Sequence, residues 1–340
     1  MRERDITLDV LKGIGMLLVV FAHTNMSGIS SVIYTFHMPL FFFLSGGALI
    51  YSSKKHSLDL KGYASSLVIP YLVFSIVSFV YWFLIESRFR PSDLIPIYSG
   101  SMGLHDVRLQ EFYNIFTAYS AEDAFIYNIV LWFLPCLLCS MVIYRGLKLY
   151  SGAWLPLCVI GLSALYFINE KTMPLLPWCM EIALVALPFV YAGDKCYVLF
   201  KKSNHWGLLA FALLIVISVL LFSNPHIDMR AHGFSEWWIF YPIALSFIYL
   251  IIQLSRIISY YEYGVLQWIG RNSLIIMCIH EPLKRIVLKL SSVILGIEIT
   301  VIRESFVASL LMTIIILLVL FPITHVVSRC LSFFLSKKTQ

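Results

Sequence analysis

Charged side chains are scarce in this 340-residue chain: Asp, Glu, Lys and Arg make up 13% of it, hydrophobic residues make up 60%, and the mean hydropathy is +0.85. Soluble domains carry about 25% charged residues, so this chain cannot hide its apolar surface from water by folding on itself. In lipid, only helices or closed barrels satisfy the backbone. The apolar runs are long and lack the alternation of barrel strands. The sequence therefore predicts an all-α polytopic membrane protein.

The chain also lacks the spacings that mark metal, nucleotide and disulfide sites. Most of its seven cysteines lie inside apolar segments, where we expect buried small hydrophobic residues: Cys136, Cys139, Cys158, Cys179 and Cys278. The formal net charge is +6, but no basic cluster stands on a soluble segment, so nucleic acid is not an expected partner. With no internal repeat and no separate soluble domain, we predict a single membrane domain over residues 1–340, with no bound metal.

Ten apolar segments predict ten transmembrane helices, each close to the length that a hydrocarbon core of about 30 Å requires. They run approximately over Leu8–Met26, Val32–Tyr51, Tyr63–Ile85, Tyr127–Tyr144, Ala153–Ile168, Pro177–Ala192, Trp206–Phe222, Glu236–Leu254, Gly264–Ile279 and Ser305–Val327. An even number places both termini on one side. Lysine and arginine are concentrated in the segments on that side, so both termini are predicted to be cytoplasmic and the polar stretch from Glu86 to Ile126 external.

The first predicted span carries three ionisable residues, and such residues in lipid are candidates for function. Asp9 can also be explained as a residue that favours the positive end of its helix, and Lys12 as a lysine that snorkels to the headgroups. His23 is harder to explain in these ways. Because eleven residues are close to three helical turns, Lys12 and His23 share one face, about 16 Å apart along the axis. A phosphate-bearing donor anchored at the cytoplasmic end can lay a flexible arm along that face to His23.

Other spans supply further candidates at a similar depth. His37 opens the second span, His280 lies at the outer end of the ninth, and Glu181 lies in the outer part of the sixth. We expect these three to converge with His23 in the outer half of the membrane, where a neutral imidazole can act as a general base. The alternatives are polar helix ends for His37 and His280. Trp132, a candidate substrate-binding residue, is also explained by an aromatic belt.

Two polar segments on the predicted outer side complete the list of candidates. The second of them, between Asn224 and Ser235, contains Arg230 and His232, which we take as candidate substrate-binding residues. Together the two segments are expected to form a polar mouth. Ordinary solvated loops explain the same composition.

Four stretches, in this order along the chain, resemble the acyltransferase-3 family of membrane O-acyltransferases, and in particular its fucose-4-O-acetylase-like branch. They are Leu8-Asp9-Val10-Leu11-Lys12-Gly13 followed by His23, Phe36–Gly46, Leu131–Pro135, and Gly270–His280. The resemblance extends over essentially the whole chain. Four ordered motifs combined with about ten spans are far more specific than any one motif.

The resemblance implies an acyl-CoA, such as acetyl-CoA, as cytoplasmic co-substrate, with no tightly bound cofactor. It implies a polysaccharide, lipopolysaccharide or lipid-linked sugar as acceptor, in a bacterial inner membrane. On this analogy His23 is the catalytic histidine and Lys12 its basic partner. Relatives often place arginines just before the third span, where this chain has Lys61, so the donor phosphates are expected to contact Lys54, Lys55 or Lys61, or to be bound more weakly.

A transporter or flippase is the alternative, because intramembrane His, Glu and Lys also form substrate or proton paths. Such a protein would favour related halves and broken helices, and the sequence has no internal symmetry. A membrane scaffold or sensor is a third reading. The acyl group, the acceptor sugar and the oligomeric state are not encoded in any pattern that we recognise.

Overall fold

A computed structural model describes residues 5–51, 60–89, 104–120, 124–169, 172–203, 206–222, 227–230, 232–234, 237–261 and 264–336. The helices are α1 (Ile6–Thr24), α2 (Gly28–Tyr34), α3 (His37–Ala48), α4 (Leu60–Tyr63), α5 (Ile69–Tyr81), α6 (Ser87–Phe89), α7 (Leu104–Thr117), α8 (Phe133–Tyr150), α9 (Leu155–Ile168), α10 (Met180–Lys202), α11 (Trp206–Phe222), α12 (Trp237–Tyr260), α13 (Gly264–Arg271), α14 (Ser273–Leu295), α15 (Ile299–Glu304) and α16 (Phe306–Ser336). Single 3₁₀ or π turns extend several of them: Leu49–Tyr51, Ala64–Val68, Trp82–Glu86, Ile129–Trp132, Gly152–Trp154 and Pro177–Cys179. Two short strands, β1 (Ile227–Asp228) and β2 (Gly233–Phe234), pair antiparallel.

The predicted all-α membrane class is confirmed. Seven helical segments within the described residues are long and apolar enough to cross a membrane: Ile6–Thr24, Gly28–Tyr51, Leu60–Glu86, Ile129–Tyr150, Pro177–Lys202, Trp237–Tyr260 and Phe306–Arg329. Two shorter apolar helices cover Gly152–Ile168 and Trp206–Leu220. Each of the ten predicted spans overlaps a helix, while the count of ten spans and the cytoplasmic termini remain predictions.

The ninth predicted span differs most from the structure. In place of one helix over Gly264–Ile279, α13 ends at Arg271, and α14 begins at Ser273 and continues to Leu295. The side chain of Asn272 donates to the carbonyl of Trp268 at 2.9 Å, which competes with helix continuation at the break. The helix continues beyond Ile279 because its buried face continues, with Val287 and Leu288 both buried.

The polar stretch between Glu86 and Ile126 also contains regular structure, since α7 lies within it. Val107, Glu111 and Ile115 recur every four residues and are buried, which is the spacing of one helix face. The buried carboxylate of Glu111 interrupts that apolar pattern in the sequence. It accepts a hydrogen bond from the backbone of Ile126 at 3.2 Å.

The chain divides into two compact units, which are described separately. The first comprises residues 1–51, 189–228 and 233–340, and the second comprises residues 52–188 and 229–232. The first unit therefore combines the two ends of the chain. The prediction of a single domain stays a prediction.

In the first unit, glycines let helix backbones touch. A Cβ at Gly13 would collide with the carbonyl of Leu266, and one at Gly270 with the carbonyl of Asp9, so α1 and α13 pack backbone to backbone. Gly46 meets the carbonyl of Val190 in the same way, so α3 and α10 also pack closely at this glycine. An ion pair of 3.2 Å between Arg271 and Asp9 closes the end of the α1–α13 contact.

The N-terminal end of α1 is anchored through Asp5. This residue caps the helix by accepting from the Leu8 N–H at 3.3 Å, and its carboxylate also accepts from Tyr51, Tyr197 and Lys201 at 2.8, 2.8 and 2.7 Å. Burial alone would raise the pKa of Asp5, but these hydrogen bonds hold that pKa below its usual value. The start of α1 is thus tied to α10 and to the turn after α3.

Candidate active site

The C-terminal end of α1 carries His23 and is held by a cation from a distant part of the chain. Arg303 donates to the carbonyl oxygens of His23 and Thr24, at 3.3 and 3.4 Å. A guanidinium at a helix C-terminus satisfies carbonyls that have no partner inside the helix. Thr24 also contacts the Thr313 hydroxyl of α16 at 2.9 Å. These contacts fix the position of the residue on which the sequence analysis centred.

His23 lies against two residues of α14. Its ring centroid is 5.3 Å from that of His280, and its Nδ1 is 3.5 Å from Oε2 of Glu281. The His23 side chain keeps 14% of its surface exposed, whereas His280 is fully buried. A carboxylate at Nδ1 orients the ring and leaves Nε2 as the atom that is free for chemistry.

His37 joins the same group through Tyr34. The Tyr34 ring is 5.9 Å from His23 and 5.1 Å from His37, edge to face in both cases. Helix α2 ends at Tyr34, and after Thr35 and Phe36 the next helix, α3, begins at His37. Pro39 is then in the first turn of α3, where a missing N–H costs little, and does not kink a longer helix.

The tautomers of the two buried histidines follow from their partners. Nδ1 of His37 lies 2.9 Å from the carbonyl of Ile33, and Nδ1 of His280 lies 3.0 Å from that of Ile276. Because a carbonyl only accepts, both rings carry their proton on Nδ1, and each Nε2 is an acceptor. Nε2 of His280 is buried and has no hydrogen-bond partner within the described residues. Buried polar atoms are rarely left unpaired, so this atom suits a hydroxyl donor from a ligand.

Glu281 is the charged centre of the cluster. Both of its carboxylate oxygens lie 2.8 Å from Nζ of Lys284, and Oε1 lies 3.3 Å from Nε of Arg285. Glu281 and Lys284 are both buried, and a buried pair of this kind is strongly destabilised when one partner is removed. With two cations beside it, Glu281 can orient His23 without drawing a proton onto that ring.

The basic residues expected to bind the donor are less closely grouped. Lys12 lies on α1 with His23, as the spacing predicts, and is half-buried. Lys61 is exposed on α4, in the second unit. Lys54 and Lys55 lie outside the described residues.

Glu181 and His232 lie in the second unit and form a cluster of their own. Nδ1 of His232 is 2.8 Å from the Tyr166 hydroxyl, and its Nε2 is 3.0 Å from Oγ of Ser120. Ser120 donates in turn to Oε1 of Glu181, whose Oε2 accepts from the backbone N–H of Leu176 at 3.0 Å. His232 has a positive φ of 55°, an uncommon conformation for a residue other than glycine.

Two other candidates are also part of the second unit. Trp132 is buried beside Phe133, with ring centroids 6.4 Å apart, and is not exposed as a member of an aromatic belt would be. Arg230 is half-buried in the turn that precedes His232.

Sequence reasoning did not single out Glu281, Lys284 or Arg285. The signal was present, because a carboxylate followed three and four residues later by cations makes neighbours on one helix face. Ending the ninth span at Ile279 placed all three residues outside the membrane. Tyr34 and Ser120 gave no signal, since neither is unusual for its segment.

A protein-family model described as an acyltransferase domain matches residues 5–329 of the chain. No curated protein and no solved structure matches this chain.

Proposed function

Since the chain belongs to the acyltransferase-3 family and is a membrane acyltransferase, we propose that it transfers an acetyl group from acetyl-CoA to a sugar hydroxyl, with His23 as its reactive residue. The acceptor is a surface or lipid-linked polysaccharide, modified in a bacterial inner membrane. The fucose-4-O-acetylase-like branch is the proposed subgroup. The observation that carries the proposal is the contact between His23 Nδ1 and the Glu281 carboxylate at 3.5 Å.

In the base route, Nε2 of His23 takes the proton from the acceptor hydroxyl while its oxygen attacks the thioester carbonyl. The C–S bond breaks, and the coenzyme thiolate leaves and takes the proton from His23. Glu281 stabilises the imidazolium that exists between these proton transfers. The distance of 3.5 Å is long for a hydrogen bond, as is common before substrate binds.

In the nucleophile route, Nε2 attacks the thioester carbonyl itself and forms an acyl-imidazole as the coenzyme leaves. The coenzyme thiolate takes the Nδ1 proton of His23 as it leaves. The sugar hydroxyl then attacks the acyl carbon, the bond from that carbon to Nε2 breaks, and the hydroxyl proton returns to His23. In this route the donor and the acceptor react in two successive steps. A cytoplasmic donor can therefore serve an acceptor on the other side of the membrane. Both routes need His23 neutral at the start of the reaction.

Other residues receive supporting roles in the proposal. His37 and His280 offer Nε2 acceptors to hydroxyl groups of the sugar, and Glu181 is a further candidate for proton transfer. Contacts with the acceptor are assigned to Trp132, Arg230 and His232. The donor phosphates are assigned to the cytoplasmic lysines: Lys12, Lys54, Lys55 and Lys61.

The test is release of coenzyme A by purified protein given acetyl-CoA with and without a sugar acceptor. We expect release that depends on the acceptor, lost in His23→Ala and retained in His325→Ala, because His325 is exposed on α16. Release in neither condition, with sugar accumulating inside proteoliposomes, would favour a transporter.

A donor-only incubation separates the two routes. With labelled acetyl-CoA and no sugar, the nucleophile route leaves label on the peptide that contains His23, and the base route leaves none. His280→Ala is the control for labelling of a neighbouring ring.

A further inference from the structure

A cavity of about 350 Å³ in the first unit has no part in the proposed chemistry. One wall is a stripe of α12 formed by Tyr249, Gln253, Arg256 and Ile257, residues spaced as one face of a helix. The opposite wall comes from the junction of α10 and α11, through Ser203, Trp206 and Leu209. The cavity therefore lies at the end of α10 and the start of α11, and it follows the C-terminal half of α12 from Tyr249 to Ile257.

Two lining residues, Trp206 and Arg256, favour the headgroup level of a bilayer for their end of the cavity. Trp206 is the first residue of α11 and keeps 79% of its surface exposed. Arg256 lies one turn before the end of α12. Tryptophan and arginine at helix ends are typical of the interface between lipid and water. The phosphates of the bilayer lie at this depth.

The charge in the cavity belongs to Arg256. Its Nη1 donates to the Ser203 carbonyl and to Oε1 of Gln253, both at 2.5 Å, which fixes the guanidinium in place. Neither acceptor is charged, and among the described residues no carboxylate pairs with Arg256. The other nitrogens of the guanidinium make no hydrogen bond within that same part of the chain. A half-buried cation of this kind has the geometry to bind a phosphate through two parallel N–H groups.

We propose that this cavity binds the phosphate group of a ligand, with Arg256 as the residue that contacts the phosphate and Trp206 and Tyr249 as the aromatic walls. Two sources carry that chemistry. One is the headgroup of an anionic phospholipid, and the other is coenzyme A, whose relevance rests on the proposed acyl-CoA donor. Lys12 and Lys61 are not part of the cavity lining.

The experiment measures the thermal unfolding midpoint of the full chain in detergent, with phosphatidylglycerol or coenzyme A as probes. Diacylglycerol and pantetheine are the matched probes without phosphate. We expect the midpoint to rise with at least one phosphate-bearing probe and not with its phosphate-free partner. Titration of that probe should show affinity about 10–100-fold weaker in Arg256→Gln, because charge-assisted hydrogen bonds are lost.

Two further variants separate charge from packing. Lys202→Gln removes an exposed cation at the end of α10, outside the cavity lining, and should bind as the wild type does. Arg256→Lys keeps the charge and should retain part of the affinity even if Arg256→Gln folds poorly. A rise in the unfolding midpoint with phosphatidylglycerol identifies a lipid site. A rise in the midpoint with coenzyme A identifies a donor site.

The proposal is overturned if no phosphate-bearing probe raises the midpoint, or if Arg256→Gln and Lys202→Gln bind equally well. Neither result depends on acyl transfer. If the protein transfers acetyl groups but fails this test, only the proposal of a phosphate site is wrong. If it binds phosphate but has no transfer activity, only the proposed function is wrong.

Discussion

Two histidine clusters, one in each unit, differ in how many of their polar atoms have hydrogen-bond partners. In the second unit, Tyr166, His232, Ser120 and Glu181 form a chain in which both ring nitrogens and both carboxylate oxygens have partners. In the first unit, Nε2 of His280 is unpaired within the described residues, and His23 keeps only a long contact with Glu281. A closed network rigidifies its surroundings, whereas an open one has capacity for a substrate. We therefore place the chemistry in the first unit and expect the second cluster to position groups.

The largest effect should come from His23→Ala. Removing a general base costs about 10²–10⁴ in rate, and removing a nucleophile should cost at least as much. Acyl transfer by membranes carrying the variant, normalised to folded protein, is the measurement. Near-normal turnover would mean that His37 or His280, and not His23, performs the chemistry in the first cluster.

Glu281→Gln should follow, with a loss of about 10–100-fold in kcat, the usual cost of losing a partner that orients a functional side chain. It should also lower stability by about 3–5 kcal/mol, because Lys284 is left buried without its counter-charge. The double variant Glu281→Gln with Lys284→Met should recover stability without recovering kcat. Recovery of both would mean that Glu281 only balances charge.

The fold class was accessible from sequence because hydropathy is local, and the same local pattern makes His23 a candidate. Hydropathy reports lipid burial residue by residue, and His23 is an imidazole on the apolar helix that begins with Lys12. The meeting of His23 with Glu281 was not accessible, since it depends on how α1 and α14 pack. The grouping of Glu181 with His23 rests on depth alone and stays a prediction, because depth does not say which neighbours a helix has. In the structure, the carboxylate beside His23 is Glu281.

In the second cluster, His232→Ala should raise the KM for the sugar by about 2–12-fold, the effect of losing one neutral hydrogen bond that holds Tyr166 or Ser120 in position, with kcat nearly unchanged. Ser120→Ala should lower the free energy of unfolding by about 1–3 kcal/mol, because the buried Glu181 carboxylate loses its donor. Initial rates across sugar concentrations and chemical denaturation are the measurements. A loss of kcat in Glu181→Gln equal to that in Glu281→Gln would erase the difference between the clusters.

The smallest effect is expected at Lys12. Lys12→Ala should raise the KM for acetyl-CoA by about 2–5-fold, as for a partly screened charge pair, and leave the KM for the sugar unchanged. Lys202→Ala is the matched control, an exposed lysine on α10. An unchanged donor KM in folded Lys12→Ala would make Lys12 a snorkelling anchor.

The first unit is assembled from both ends of the chain, and this sets the order in which the protein becomes active during synthesis. Arg303, which holds the carbonyl of His23, lies 280 positions further along the chain. At about 5–20 residues per second, α1 waits roughly 15–55 s in the membrane before Arg303 is made. The intervening segments, including the whole second unit, are inserted before the position of His23 is fixed. On the proposed mechanism, a nascent chain is inactive until α14 and α15 emerge, and two separately expressed fragments divided between α9 and α10 have the parts to reconstitute the centre in one membrane.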